Sequence, residues 1–286
     1  MKTFKEHQKT VTDQVIGALN SGVPPWCKSW TDDGSTNSMI LTHRNGDTGH
    51  IYTGINWIVT MLSPFESNEW FTKNQLVKLT GKRMPIPYDV FLNEGTPIVY
   101  YNTASKVVDG KEEFYPVRKL YVVWNRDQIE DLPPSKFDSG HEMVDPQTEV
   151  EQYLANLNLK GGVHRGGDTA CFVPSKDCVL LPNDDAFENV EERESTKAHE
   201  GIHATGAKHR LNRKKESYAE EELVAELGAA MVCASLGIPL EKLRHTSYIQ
   251  AWLKRLNDDQ NFIFKAAAEA SKAAQYLTQE HIEKAA

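Results

Sequence analysis

The 286-residue chain is long enough for two ordinary domains, and with 40% hydrophobic residues it can fill packed cores. It has no run of about 20 apolar residues, which a membrane span needs, and no apolar stretch behind Met1-Lys2-Thr3, so a cytoplasmic protein without a membrane partner is expected. The net charge of −8 is unevenly placed, with 14 Lys/Arg against 14 Asp/Glu in residues 1–130 and 18 against 26 in residues 131–286, so any basic face must come from local clustering. The four cysteines, Cys27, Cys171, Cys178 and Cys233, lack CxxC spacing, which leaves them as free thiols and argues against a thiolate zinc site.

Residues 4–20 read as a helix, because Phe4, Val11, Val15, Ile16 and Leu19 recur near helical spacing, and Gly22 with Pro24-Pro25 stops it. Residues 26–95 are mixed and rich in Trp, Tyr, Asn and Gly. Residues 97–102 and 115–124, dense in Val, Tyr and Ile, suit strands, with Gly110 in the turn between them. Pro133-Pro134, Ser139-Gly140 and Asp145-Pro146 mark a linker over 132–148. A helix over 150–159 then opens a second domain at 149. Residues 170–173 and 178–181 suit a hairpin around Pro174-Ser175-Lys176, and everything beyond about 188 reads as helices with short breaks. The resulting class is α+β in two domains, 1–131 and 149–286, the second mostly helical.

The chemistry is concentrated in His199-Glu200-Gly201-Ile202-His203. Residues four apart share a helix face, so His199 and His203 can offer two imidazoles to one zinc ion, Zn2+. Glu200 stands beside them as a general base, the arrangement of a zinc peptidase. The competing reading, two surface histidines on a helix, is weakened by Thr196-Lys197 leading in and Gly206 able to end the helix. Gly201 is an expected cost of about 1 kcal/mol inside a helix.

A third protein ligand is needed, and two patterns compete for it. His199 to His209 matches HExxHxxGxxH, which would make His209 the ligand in the metzincin manner. That pattern wants a methionine turn, but Met231 lies in a helical stretch. The rival is Glu222, in a helical run that begins at Glu220. Glu222 and Glu226 share a face, so one can bind metal while the other supports a histidine. Solvated acids in a first helical turn would look the same. The residues alone leave His209 and Glu222 evenly matched.

Several motifs in one order resemble the ArdC-type antirestriction proteins of plasmids and other mobile elements. They are Gly22-Val-Pro-Pro-Trp26-Cys-Lys-Ser-Trp30, Tyr52-Thr-Gly54-Ile-Asn56, Trp70-Phe-Thr72-Lys-Asn-Gln75, Val123-Trp-Asn125-Arg-Asp-Gln128-Ile129, the HExxH, Thr205-Gly206 with Arg210-Leu211-Asn212-Arg213, Glu221-Glu222-Leu-Val-Ala-Glu226-Leu-Gly and Tyr248-Ile-Gln-Ala-Trp252-Leu253. The resemblance implies an N-terminal single-stranded-DNA-binding domain, shared with TraC-type plasmid primases, and a C-terminal zincin-like metallopeptidase domain. It favours Glu222 as the third ligand. The chain departs from the family pattern at Ser29, Gly201, His209 and the acidic segment Tyr88–Glu94.

Single strands bind by aromatic stacking along a positive groove. Trp26, Trp30, Tyr52 and Trp70 are interleaved with Lys28, Arg44, Asn56, Lys73 and Gln75, and Arg118 adds local charge. These are the expected DNA contacts, against the plainer reading of core tryptophans and solvated charges. Tyr248 and His245 are the candidate groups for holding an oxyanion. The leading expectation is thus a zinc-dependent hydrolase acting on an unidentified protein and joined to a single-stranded-DNA-binding domain. The alternative is a non-proteolytic DNA-shielding protein with a structural zinc site.

Overall fold

The computed structural model describes residues 3–22, 24–27, 42–83, 85–108, 111–137, 145–214, 216–239 and 248–279. Contacts divide the chain into two units, Met1–Gln14 with His43–Gly140, and Val15–Thr42 with His141–Ala286. Among the described residues no helix is long and apolar enough to cross a membrane.

The expected first helix forms as α1 (Phe4–Asn20), and its residues are divided between the two units after Gln14. The first unit is built on a four-stranded sheet of β1 (Arg44–Asn45), β2 (Glu69–Thr72), β3 (Thr96–Val108) and β4 (Lys111–Asn125), in the order β1-β2-β4-β3. Successive strand residues point to opposite faces, so the sheet sorts its aromatics into two cores. Phe71 and Trp124 pack with Leu76, Ile86 and Ile129 on one side. Trp70 and Val123 pack with Tyr52 and Ile98 on the other. Helices α2 (Ile55–Met61), α3 (Lys73–Thr80) and α4 (Tyr88–Asn93) complete the unit. Thr72 and Gln75 form a capping box at the start of α3. β3 and β4 run well past the segments 97–102 and 115–124, because their pairing continues over 13 positions. β1 and β2 escaped the sequence reading, being short segments within a mixed stretch.

The second unit begins with α5 (Pro146–Asn156), which Asp145 caps and a proline opens. A small sheet follows, β5 (Gly162–Arg165), β6 (Cys171–Val173) and β7 (Cys178–Leu181), in the order β5-β7-β6. β6 and β7 are the expected hairpin, and β5 joins β7 in parallel. Among the described residues that follow are four helices, α6 (Val190–Thr205), α7 (Tyr218–Ser235), α8 (Ile249–Asp258) and α9 (Phe262–Thr278). α7 is buried nearly all round, packed on α6 and α9. Gly201 on α6 has a packing reason, because a Cβ there would meet Leu277 at 3.0 Å and Leu154 at 3.1 Å. Close approach to α5 and α9 offsets the helix-propensity cost.

In the core that Trp70 shares with Tyr52, Ile98 and Val123, the Trp70 indole donates to His43 Nδ1 at 2.9 Å. Burial depresses the His43 pKa from 6.5 to about 3. A histidine held neutral in the fold titrates in the unfolded chain first, so its stabilisation is present above pH 6.5 and declines as pH falls toward 3. Stability should therefore drop by up to about 1.4 kcal/mol per pH unit between pH 6.5 and 5, read from urea midpoints. His43→Gln should flatten that decline, and an identical slope in wild type and variant would refute the assignment.

Candidate active site

The site lies where α7 packs on α6, under the β6–β7 hairpin. Asn189 caps α6 and Ser217 caps α7, each accepting from a backbone amide three residues on. His199 and His203 stand one turn apart on α6, with their Nε2 atoms 3.1 Å apart. Glu222 on α7 faces both, at 3.6 Å from each Nε2. Among the described residues these three form the one group able to hold a metal ion. Tetrahedral bonds of about 2.0–2.1 Å to N and O donors separate neighbouring donors by about 3.3–3.4 Å. Glu222 reaches His199 through Oε2 and His203 through Oε1, and one donor atom from each of the three residues lies within 4.8 Å of the others, close enough to be drawn onto one cation.

Each imidazole is backed by a second carboxylate of α7. Glu221 Oε1 lies 3.1 Å from His203 Nδ1, and Arg213 holds the carboxylate in turn, donating to Oε1 at 2.7 Å and to Oε2 at 3.0 Å. Arg213 also donates to Thr205 Oγ1 and to the Ile202 carbonyl. Gly206 lets the guanidinium come close, since a Cβ there would sit 2.8 Å from Nη2. Glu226 Oε2 lies 3.7 Å from His199 Nδ1. Burial opposes charge on His203, but hydrogen bonds to Glu221 and Glu222 prevail and raise its pKa to about 9. Burial works against Glu221 and Glu222 as well, yet His203 and Arg213 bring Glu221 down to about 2, and the two histidines hold Glu222 well below the usual carboxylate range. Glu226 is pushed up to about 7 by burial. The pocket is thus built to receive positive charge.

Glu200 points into the same space and accepts from the Phe172 backbone N–H at 2.7 Å. β6 is an edge strand, so this N–H faces out of the sheet and towards the cleft. The cleft has a volume of about 410 Å³ and is lined by His199, Glu200, His203, Glu222, Phe172 and Tyr218, among others. Tyr248 also lines it and shares a 2.9 Å hydroxyl contact with Tyr218. That contact holds the Tyr218 hydroxyl protonated far above its usual range. His245 lies outside the described residues.

His209 is not drawn to this group. It is half exposed and pairs with Asp177 at 3.2 Å, while Arg210 binds the same carboxylate at 2.8 Å. Met231 lies within α7 rather than in a turn. Both features remove the metzincin pattern. The sequence reading missed Glu221, Arg213, Tyr218 and the Phe172 amide. Glu221 was hidden as a first-turn acid, whereas Tyr218 was within reach, lying four residues before Glu222.

Most of the expected DNA contacts have structural work instead. Trp26 is fully buried in the second unit, edge-to-face with Trp252 at 6.0 Å. Trp70 and Tyr52 are core residues of the first unit, so none of the three can stack on a base. Asn56 bonds both backbone groups of Val99, at 2.7 Å and 2.8 Å. Gln75 caps α3 and bonds Asn45. Arg44 is buried beside Phe137, and Lys73 sits 4.6 Å above the Phe91 ring. Arg118 is exposed, 5.2 Å over Phe4. Lys28 and Trp30 lie outside the described residues.

The buried Arg213–Glu221 pair yields a stability test. Arg213→Met leaves a buried carboxylate without its cation and should cost about 3–5 kcal/mol by denaturant unfolding. Adding Glu221→Met should recover much of that loss. A single-variant cost under about 1 kcal/mol would show that the pair does not organise the site.

Comparison with known proteins places this geometry in a family. Residues 5–127 match the N-terminal domain of anti-restriction factor ArdC, and residues 148–269 match a zincin-like metallopeptidase. The antirestriction protein ArdC of plasmid R388 is similar in its metal-free crystal structure, at 30% identity and a TM-score of 0.74 over 95% of this chain and 96% of that one. Its Mn(II)-bound structure matches at 31% identity and a TM-score of 0.72, over 97% and 98% of the two chains. Protein y4eC of Sinorhizobium fredii (strain NBRC 101917 / NGR234) is 30% identical over 93% of this chain and 90% of its own length. DNA primase TraC of Escherichia coli is 29% identical over 97% of this chain, which spans only 20% of the primase. With an ArdC-type N-terminal domain followed by a zincin-like domain, the chain belongs to the ArdC antirestriction family.

Proposed function

We propose that this chain hydrolyses peptide bonds at a zinc ion held by His199, His203 and Glu222, and that its first unit binds single-stranded DNA entering the cytoplasm. The observation that carries the peptidase reading is the convergence of three ligand atoms within 4.8 Å of one another, with Glu200 beside them and an open cleft in front. Catalytic zinc sites keep three protein ligands and a free position, whereas structural sites are closed by four. Bound zinc supplies Lewis acidity, which polarises a carbonyl oxygen and acidifies water. R388 ArdC has a Mn(II)-bound structure, so a divalent cation is at home in this fold.

The chain's own groups divide the remaining work. Glu200, oriented by the Phe172 amide, takes the proton of the attacking water and passes it to the leaving amine. Glu221 and Glu226 hold the two imidazoles from behind. Tyr218 and Tyr248 present hydroxyls on the cleft wall, where they can donate to the developing oxyanion. The open edge of β6 offers backbone groups to an extended peptide. The DNA reading is supported by the match to the ArdC N-terminal domain and the likeness to a DNA primase.

Two experiments test the peptidase reading. Metal analysis should find about one zinc per chain in wild type and in His209→Ala, and little in Glu222→Ala. The opposite pattern would move the third ligand to His209. Glu200→Gln should keep its zinc and fold but lose the proton transfer, slowing self-cleavage in the presence of single-stranded DNA by about 10²–10⁴-fold. Equal rates for the variant and wild type would remove Glu200 from the chemistry. If no protein, the chain itself included, is cut by wild type, the DNA-shielding reading with a structural zinc takes precedence.

A further inference from the structure

The β3–β4 hairpin carries a surface that neither the metal site nor the cores explain. β2 pairs with β4 only at Val123–Asn125, through Thr72, Phe71 and Trp70. Among the described residues the other edge of β3 has no strand neighbour. From Tyr100 and Lys119 outward the two strands therefore stand alone, with most side chains of both faces in water. A two-stranded ribbon is marginal by itself, and rings kept in water add nothing to a core. Yet six of the eleven exposed large hydrophobic residues among those described lie here, namely Tyr100, Tyr101, Val107, Phe114, Tyr115 and Tyr121.

The register sorts them by face, because directly opposed residues of a β-ladder share one. One face carries the pairs Ile98–Tyr121, Tyr100–Lys119, Asn102–Val117, Ala104–Tyr115 and Lys106–Glu113. Tyr100 and Tyr121 meet edge-to-face at 5.8 Å. Tyr115 is six residues along β4 from Tyr121, a separation of about 20 Å. Asn102, Ala104 and Val117 are the shorter side chains between them. The opposite face carries Tyr101, Arg118, Phe114 and Val107, and there Arg118 is already engaged by the Phe4 ring.

We infer that the face made by Tyr100, Tyr115, Tyr121 and Lys119 is where single-stranded DNA stacks on the first unit. The inference rests on the DNA reading above and locates it. Exposed aromatic rings spaced along a ribbon, with a cation among them, match what unpaired bases and their phosphates require. A duplex hides its base faces and fits such a surface poorly. Beyond Tyr115 the same face carries Lys106, but Glu113 lies opposite it at 3.5 Å and takes up its charge, which leaves Lys119 as the cation beside the tyrosines. This placement also accounts for the neutral overall charge of residues 1–130, since stacking supplies what a basic groove would otherwise have to.

The test is fluorescence anisotropy of the full chain with a labelled 20-nucleotide oligo-dT at low salt. Tyr100→Ala, Tyr115→Ala and Tyr121→Ala should each weaken binding by about five- to hundredfold. Lys119→Ala should lower the slope of log affinity against log salt by about 0.7. Phe114→Ala, on the opposite face, should bind as wild type does, and duplex of the same length should bind more weakly than the single strand. Unchanged circular dichroism and zinc content would show that the variants keep their fold. If wild type binds and all three tyrosine variants bind within twofold of it, the surface is wrong and the DNA reading stands. If wild type itself does not bind, both fall.

Discussion

The second unit depends on one arrangement: three carboxylates of α7 turned inward against two imidazoles of α6. Burying Glu221, Glu222 and Glu226 in the most apolar helix of the unit is costly, and each needs a positive or polar partner to remain there. Arg213 provides one, folding back from the loop after α6 to bond both Glu221 oxygens. The histidines provide the rest. The network locks the imidazole rings in orientation before any ligand arrives, so binding a cation requires little reorganisation. The raised His203 pKa has the same origin, since without a metal the surrounding carboxylates recruit a proton in its place.

The hairpin adds the other half of the cleft. Asp177, in a left-handed turn conformation at φ 48°, ties β7 to Arg210 and His209 beyond α6 and to the Lys160 amide. The edge strand is therefore anchored to the helix that carries the histidines. The carboxylate proposed as the base and the strand proposed to align the substrate are joined directly, through the Phe172 amide and Glu200.

The helical half of this architecture was legible because its signals are local. The periodicity of residues 4–20, the HExxH spacing and the Glu222/Glu226 pair all describe one face of one helix. The hairpin 170–181 was equally legible from its turn residues. What escaped was non-local. β2 is a strand only because β4 lies beside it, β1 only because β2 does, and β5 only because β7 does. His209 fits a metal motif in the linear text, yet the chain turns at Asn212, with φ 49°, and leaves it with Asp177. The tryptophans misled for a related reason. Dense aromatic and basic residues look alike in a sequence whether the rings face water or a core, and only the packing of distant segments decides which. Five of the exposed rings sit on β3 and β4, namely Tyr100, Tyr101, Phe114, Tyr115 and Tyr121, where both faces of a lone ribbon are open.

Trp26 has a consequence for how the chain is made. It belongs to a segment, Val15–Thr42, that groups with the C-terminal unit although the first unit's sheet follows it in sequence. Its ring partner Trp252 follows only after the whole of the first unit's sheet. At about 5–20 residues per second, a ribosome leaves the Trp26 segment waiting on the order of 10–45 s for that partner to emerge. During that interval the first unit's sheet can form, but a large aromatic ring and its prolines remain without their final cover. The candidate metal site, whose helices α6 and α7 begin at Val190 and Tyr218, likewise forms only after the whole of the first unit has been made.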